Sequence, residues 1–157
     1  MIPKLTKMSK LYFVSLLFAS LFSYSQIDLL KQIPLEDQVN NAQLIAEGEI
    51  IAKKSYWDVG KKSIYTVNTL DISKLYKGAS QGQINVVTAG GIVGYNAQTD
   101  YPRLELNEED KGIFILEKIN LDLEGNQDNL PLYQVTGLSQ GLFRYNTRAK
   151  KIYNPFM

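Results

Sequence analysis

Leu44–Asp58 (LIAEGEIIAKKSYWD), Ser63–Gly78 (SIYTVNTLDISKLYKG), Gln83–Gly94 (QINVVTAGGIVG) and Gly112–Leu116 (GIFIL) follow one another as a ladder of short strands. In the first rung Leu44, Ala46, Gly48, Ile50 and Ala52 alternate with Ile45, Glu47, Glu49, Ile51 and Lys53. That period of two is the signature of a half-buried strand. Gly48 interrupts it, and glycine inside a strand marks a bulge or sharp bend. A long first strand bent at Gly48 can serve two sheets at once.

Working outward, Lys54–Lys62 reads as a polar loop closed by Gly60. The second strand runs from about Ser63 to Tyr76. In it Tyr65 and Val67 share one parity and Leu70 and Ile72 the other, which predicts a bulge near Asn68. Gln83–Thr88 is a third strand, Ala89-Gly90-Gly91 a tight turn, and Val93–Thr99 a fourth strand. After the turn Asn107–Gly112, the apolar run Ile113–Glu117 implies burial on both faces. Leu132–Thr136 and a hairpin with arms Gly141–Tyr145 and Lys151–Tyr153 close the chain. Ahead of the ladder, Pro34 suits a first helical turn and Glu36 and Asp37 suit the positive end of a helix dipole. A short helix is expected over about 34–41, with Leu35, Val39 and Ala42 on the face turned to the barrel. Many short strands separated by turns indicate a barrel or sandwich.

The first residues read as a leader. Lys4, Lys7 and Lys10 precede the apolar run Leu11–Phe22, and Ser23 and Ser25 supply the small residues of a cleavage site. This is the layout of a secretory signal peptide over residues 1–25, cut after Ser25, with Gln26–Met157 as one domain. The run is too short for a membrane span. The expected location is periplasmic or extracellular, with no stable membrane span after cleavage. Three of the 17 basic residues leave with the leader, so a small acidic excess remains against 16 carboxylates. That charge does not suit a nucleic-acid partner. With no cysteine, the domain holds itself by its core, and lipid attachment at a leader cysteine is excluded.

The motifs A-x-L-I-A-E-G-E-I from Ala42, S-Y-W-D from Ser55, I-Y-T-V from Ile64, Y-K-G at Tyr76–Gly78, A-G-G-I-V-G from Ala89 and K-G-I-F-I-L from Lys111 carry a resemblance. The chain resembles an N-terminal domain of exported bacterial proteins associated with type IX secretion. More remotely, it looks like the netrin-like domain of tissue metalloprotease inhibitors. The resemblance implies an all-β, small OB-like (netrin-like) β-barrel with a short N-terminal helix and a C-terminal hairpin. In that second group an N-terminal cysteine chelates the protease zinc. This chain has none, so that mechanism does not carry over. Ending at Met157 without a catalytic or sorting region, it reads either as a standalone version or as the front of a longer frame.

Chemistry narrows by elimination. Without histidine or cysteine there is no imidazole base, no thiol nucleophile and no zinc site built on either. Glu47 and Glu49, two apart on one strand face, could pair sterically as acid and base; the alternative is a solvated strand face. Asp122, Glu124, Asn126 and Asp128 have the oxygen density of a calcium loop without the EF-hand pattern, and otherwise form a solvated loop. Gly90-Gly91-x-x-Gly94 lacks the lysine and hydroxyl of a phosphate loop and is better explained as a turn needing positive φ.

Tyr56 and Trp57, flanked by Lys53, Lys54, Lys61 and Lys62, are the candidate binding residues. An aromatic platform among cations suits a sugar or a protein hot spot; alternatively Trp57 plugs the end of the barrel. These residues point to a non-catalytic exported interaction module without a cofactor, binding a protein partner or glycan or packing on a neighbouring domain. The alternative is an inhibitor-like or pro-region-like regulator of a secreted protease.

Overall fold

In a computed structural model, residues 31–154 are described apart from 81, 101, 103, 129 and 147–150. The leader and its cleavage point lie outside the described residues. Every element of the fold belongs to the unit Gln32–Met157. Among the described residues a helix, α1 (Leu35–Asn41), precedes nine strands: β1 (Leu44–Trp57), β2 (Ile64–Lys77), β3 (Gln83–Ala89), β4 (Gly91–Val93), β5 (Asn96–Gln98), β6 (Lys111–Lys118), β7 (Leu132–Val135), β8 (Leu142–Asn146) and β9 (Lys151–Tyr153). Five of them close a ring in the order β1-β2-β3-β7-β6 and back to β1. All neighbours in the ring are antiparallel except β3 and β7, which run parallel. This is a small all-β barrel, one of the two architectures that the ladder implied. β8 and β9 form the C-terminal hairpin, with β8 paired to β6.

The bent first strand makes closure feasible. Leu44–Glu49 pairs with β6 along one edge while the whole of β1 pairs with β2 along the other. Gly48 sits opposite Gly112 of β6 and opposite Ile72 of β2, and a register shift falls between Glu47 and Gly48. A Cβ on Gly48 would strike the Asp71 carbonyl, and one on Gly112 the Phe143 carbonyl. The glycine bend is therefore a matter of space between backbones.

The ring encloses one main core: Leu44, Ala46 and Ile50 from β1, Leu70 from β2, Ile84 and Val86 from β3, Phe114 and Leu116 from β6, and Leu142 from β8. β6 is buried on both faces as its sequence implied. Phe114 and Leu116 point into the ring, whereas Ile113 and Ile115 pack outside it with Ala42, Ile45 and Phe143.

Four local expectations are corrected. The helix buries Gln38, 2% exposed, and leaves Leu35 and Val39 exposed; of the expected face only Ala42 is buried. The reason is polar: Gln38 Nε2 donates to the Ile33 carbonyl, and the Ile33 amide donates to Gln140 Oε1. Lys77 then reaches back to cap the helix, its ammonium donating to the Val39 and Asn40 carbonyls.

No bulge occurs at Asn68. β2 pairs without a break against β3 from Tyr65 to Asp71. The irregularity lies on the facing strand, where Ile50 pairs Leu70 and Ala52 pairs Thr69, leaving Ile51 over. Asn68 thus keeps its parity and points inward, fully buried.

The segment expected as a fourth strand, Val93–Thr99, is instead a separate two-stranded hairpin, β4–β5, turning at Gly94 and Tyr95. Finally, the first part of the expected loop Lys54–Lys62, Lys54–Trp57, is strand. β1 continues to Trp57, with Tyr56 opposite Tyr65 and Trp57 opposite Ile64. Cross-strand aromatic and β-branched pairs stabilise such an extension. Only the turn after Trp57 remains, held by Asp58, whose Oδ1 accepts from the amides of Lys62 (2.6 Å) and Ser63 (3.0 Å).

Candidate functional site

The end of the β1–β2 hairpin carries the residues singled out by sequence. Successive strand residues face opposite ways. Tyr56 packs with the apolar cluster of Val67, Val87 and Leu123, with the Lys54 ammonium 5.1 Å from its ring centre. Trp57 is half-buried and, among the described residues, belongs to none of the three buried apolar clusters. It borders an open cleft of about 470 Å³ shared with Lys54, Tyr56, Lys61, Val93 and Glu124. Tyr56 thus packs on a buried cluster and also lines the cleft, whereas Trp57 lines the cleft without a place in any of those clusters.

The four lysines do not act together. Lys53 Nζ donates to the Leu106 carbonyl and to Asn107 Oδ1 (3.3 Å) and does not line the Trp57 cleft. Lys61 pairs with Glu124 at 3.1 Å, and Lys62 is exposed in the turn. An exposed pair of this kind contributes little to stability.

What sequence reasoning missed is the β4–β5 hairpin. It lies against β1 and β2, placing Val93 in the Trp57 cleft, and it carries the exposed Ile92 and Tyr95. Val59 in the β1–β2 turn is exposed as well. The signal was present as Gly90-Gly91 and Gly94, with φ of 84°, 142° and 60°, which bound a hairpin rather than a simple turn.

The other candidates are tied into the framework. Glu47 and Glu49 do not share a proton: Glu49 pairs with Lys111 at 2.9 Å, and Glu47 Oε2 accepts from the Tyr76 hydroxyl at 2.7 Å. Hydrogen bonds from Tyr76 and then Tyr145 hold the Glu47 carboxyl below its ordinary range, the wrong direction for a general acid. Burial, then its bond to Glu47, pushes the Tyr145 hydroxyl up to about 12. A lowered carboxyl contributes stability present above its unfolded pKa and lost as pH falls through the folded one. A raised tyrosine contributes stability present below its unfolded pKa, near 10, and lost as pH rises toward 12. Thermal melts across pH should therefore show Glu47→Gln flattening the acid limb and Tyr145→Phe flattening the alkaline limb above pH 10. Unchanged limbs in both variants would remove this cluster from the pH response.

In the acidic loop, Asp128 Oδ2 accepts from Asn85 Nδ2 at 3.1 Å, Asn126 Oδ1 caps the Asp128 amide, and Glu124 is committed to Lys61. Asp122, Asn126 and Asp128 border a common cleft. Among the described residues no group of three acidic, histidine or cysteine side chains is gathered as a metal site, and no helix is long and apolar enough to cross a membrane. No family model, curated protein or solved structure matches this chain.

Proposed function

We propose that the chain is an exported, non-catalytic interaction module whose contact surface is the Trp57 end of the barrel, and that its partner is a protein. The observation supporting this is the apolar display on two neighbouring hairpins. Val59 and Tyr95, in the turns of the β1–β2 and β4–β5 hairpins, are 67% and 108% exposed, and Trp57 is half-buried beside Val93. Isolated exposed apolar residues are ordinary, but two on adjoining hairpin tips beside an aromatic cleft suit an interface anchor with a polar rim. Lys54 and Lys61 supply that rim.

The test uses the purified protein cross-linked to the envelope fraction of the producing cells. A partner captured by the wild type should bind Trp57→Ala and the double variant Val59→Ser/Tyr95→Ser at least about 30-fold more weakly. Circular dichroism melts check that both variants keep the fold. Equal capture by the wild type and both variants rules out this surface.

A further inference from the structure

Next to the Trp57 cleft, with Ser55 in the lining of both, lies a second cavity of about 350 Å³. Its wall contains three hydroxyls from three different strands, Ser55, Thr66 and Thr88, with Ile92, Leu104 and Leu106 supplying apolar surface and Lys53 and Glu105 opposite charges. We propose that this cavity is a binding site for a neutral polyhydroxylated ligand, one ring of a sugar. The proposal takes the chain to be a binding module but does not depend on the Trp57 contact.

The hydroxyl protons decide the ligand class. Thr66 Oγ1 lies 2.8 Å from the Gly90 carbonyl, which can only accept, so the Thr66 proton is committed there. Ser55 Oγ and Thr66 Oγ1 are 2.9 Å apart, and the Ser55 proton must therefore serve that bond. Ser55 Oγ also accepts from the Ile92 amide at 3.4 Å. What Ser55 and Thr66 have left for a ligand is lone pairs. Thr88 Oγ1 accepts from Asn68 Nδ2 at 3.2 Å, and its own proton has only a long bond, 3.4 Å, to the Thr66 carbonyl.

A carboxylate brings only acceptors, and Ser55 and Thr66 would turn acceptors toward it. A ligand O–H can instead donate to those lone pairs and accept from the Lys53 ammonium, whose two protein acceptors are both neutral. Lys53 and Glu105 together leave the lining without a dominant charge, which suits a neutral ligand over an ion. The apolar side chains then meet the C–H face of a ring. The volume is at the lower end for small-molecule pockets, appropriate to one or two rings.

The wall is also built to stay open. Gly91 has φ 142°, and a Cβ there would collide with Ser55 Oγ and Thr66 Oγ1. Asn68 is fully buried, its two amide hydrogens shared among Thr88 Oγ1 and the Thr66 and Val86 carbonyls, while its Oδ1 has no partner among the described residues. A buried acceptor without a partner is costly in a core position that an apolar residue could fill. Here the Asn68 amide orients Thr88 toward its role in the wall.

The experiment is a ¹H–¹⁵N titration of the whole domain with methyl β-D-glucopyranoside and with N-acetylglucosamine, each to tens of millimolar, and in parallel with acetate and inorganic phosphate. The sugars should shift the amides of Ser55, Thr66, Gly90, Gly91 and Ile92 saturably, and the anions should not. Ser55→Ala and Thr88→Val should each weaken the sugar response about fivefold or more. Trp57→Ala should retain it, which separates this site from the protein contact. Ser55 is only half-buried, so its alanine variant keeps the test decisive if Thr88→Val fails to fold. The proposal is overturned if neither sugar gives localised shifts, if acetate or phosphate gives the same shifts, or if both hydroxyl variants bind as the wild type does.

Discussion

Replacing Phe114 by alanine should destabilise the barrel by about 3–5 kcal/mol. Phe114 is fully buried on β6, the strand that pairs with β1 on one edge and with β7 and β8 on the other. Its ring belongs to the cluster that joins β1, β2, β3, β7 and β8. Flanking strands held in a closed hydrogen-bonded ring cannot collapse into the space a missing ring leaves, so the cost includes a cavity as well as lost transfer energy. Against a usual total of about 5–15 kcal/mol, this is a large fraction of the folding free energy. The melting temperature should fall by roughly 10–20 °C. Urea unfolding of Phe114→Ala beside the surface variant Tyr95→Ala, expected within about 0.5 kcal/mol of the wild type, provides the comparison. A midpoint shared by the two variants would show that the ring around Phe114 is not the core.

Gly48→Ala should cost about 3 kcal/mol although it adds a single methyl group. The added Cβ would meet the Asp71 carbonyl and lie 3.0 Å from Leu70 Cδ1. The carbonyl is backbone in a paired strand, so it cannot rotate away as a side-chain tip can. Relief requires β1 and β2 to separate at the point where β1 also meets β6. Amide hydrogen exchange should therefore accelerate most across Leu44–Glu49, ahead of global unfolding. Gly60→Ala is the control: its φ is not positive, and its nearest neighbour is a flexible side-chain atom at 3.4 Å. Equal stability of the two variants would refute the claim that Gly48 is a point of backbone contact.

The two predictions differ in how visible their causes are in the chain. Gly48 could be read directly, because a glycine in an otherwise regular alternation has few explanations. Phe114 could be read as buried, because Gly112–Leu116 has no polar face to give to water. Asn68 could not. Its parity was judged from Tyr65, Val67, Leu70 and Ile72, and the residue that breaks the register, Ile51, lies on the other strand. Gln38 was hidden for a similar reason: its partner is the Ile33 carbonyl, in a segment itself fixed by Gln140 more than 100 residues away. β4 and β5 are three residues each, too short for a pattern to accumulate.

The candidate sites divide along the same line. Tyr56 and Trp57 stood out by residue type, but sequence placed them in one loop, whereas they end a strand and line one cleft, with Tyr56 alone also packed on a buried cluster. The hydroxyl-lined cavity had no local signal. Ser55, Thr66 and Thr88 are ordinary strand residues, and they meet only because β1, β2 and β3 are adjacent in the ring and β4 folds against them. Alternation, glycine placement and apolar runs are properties of neighbours along the chain, so composition and order alone were enough to specify the longer strands, the bend and the all-β class, but not β4, β5 or the end of β1. Which polar side chains enter the core, which protons are committed and which cavities stay open depend on contacts between distant segments. Those were decided only when the ring closed, because a hydrogen bond or a collision exists only once both partners are in place.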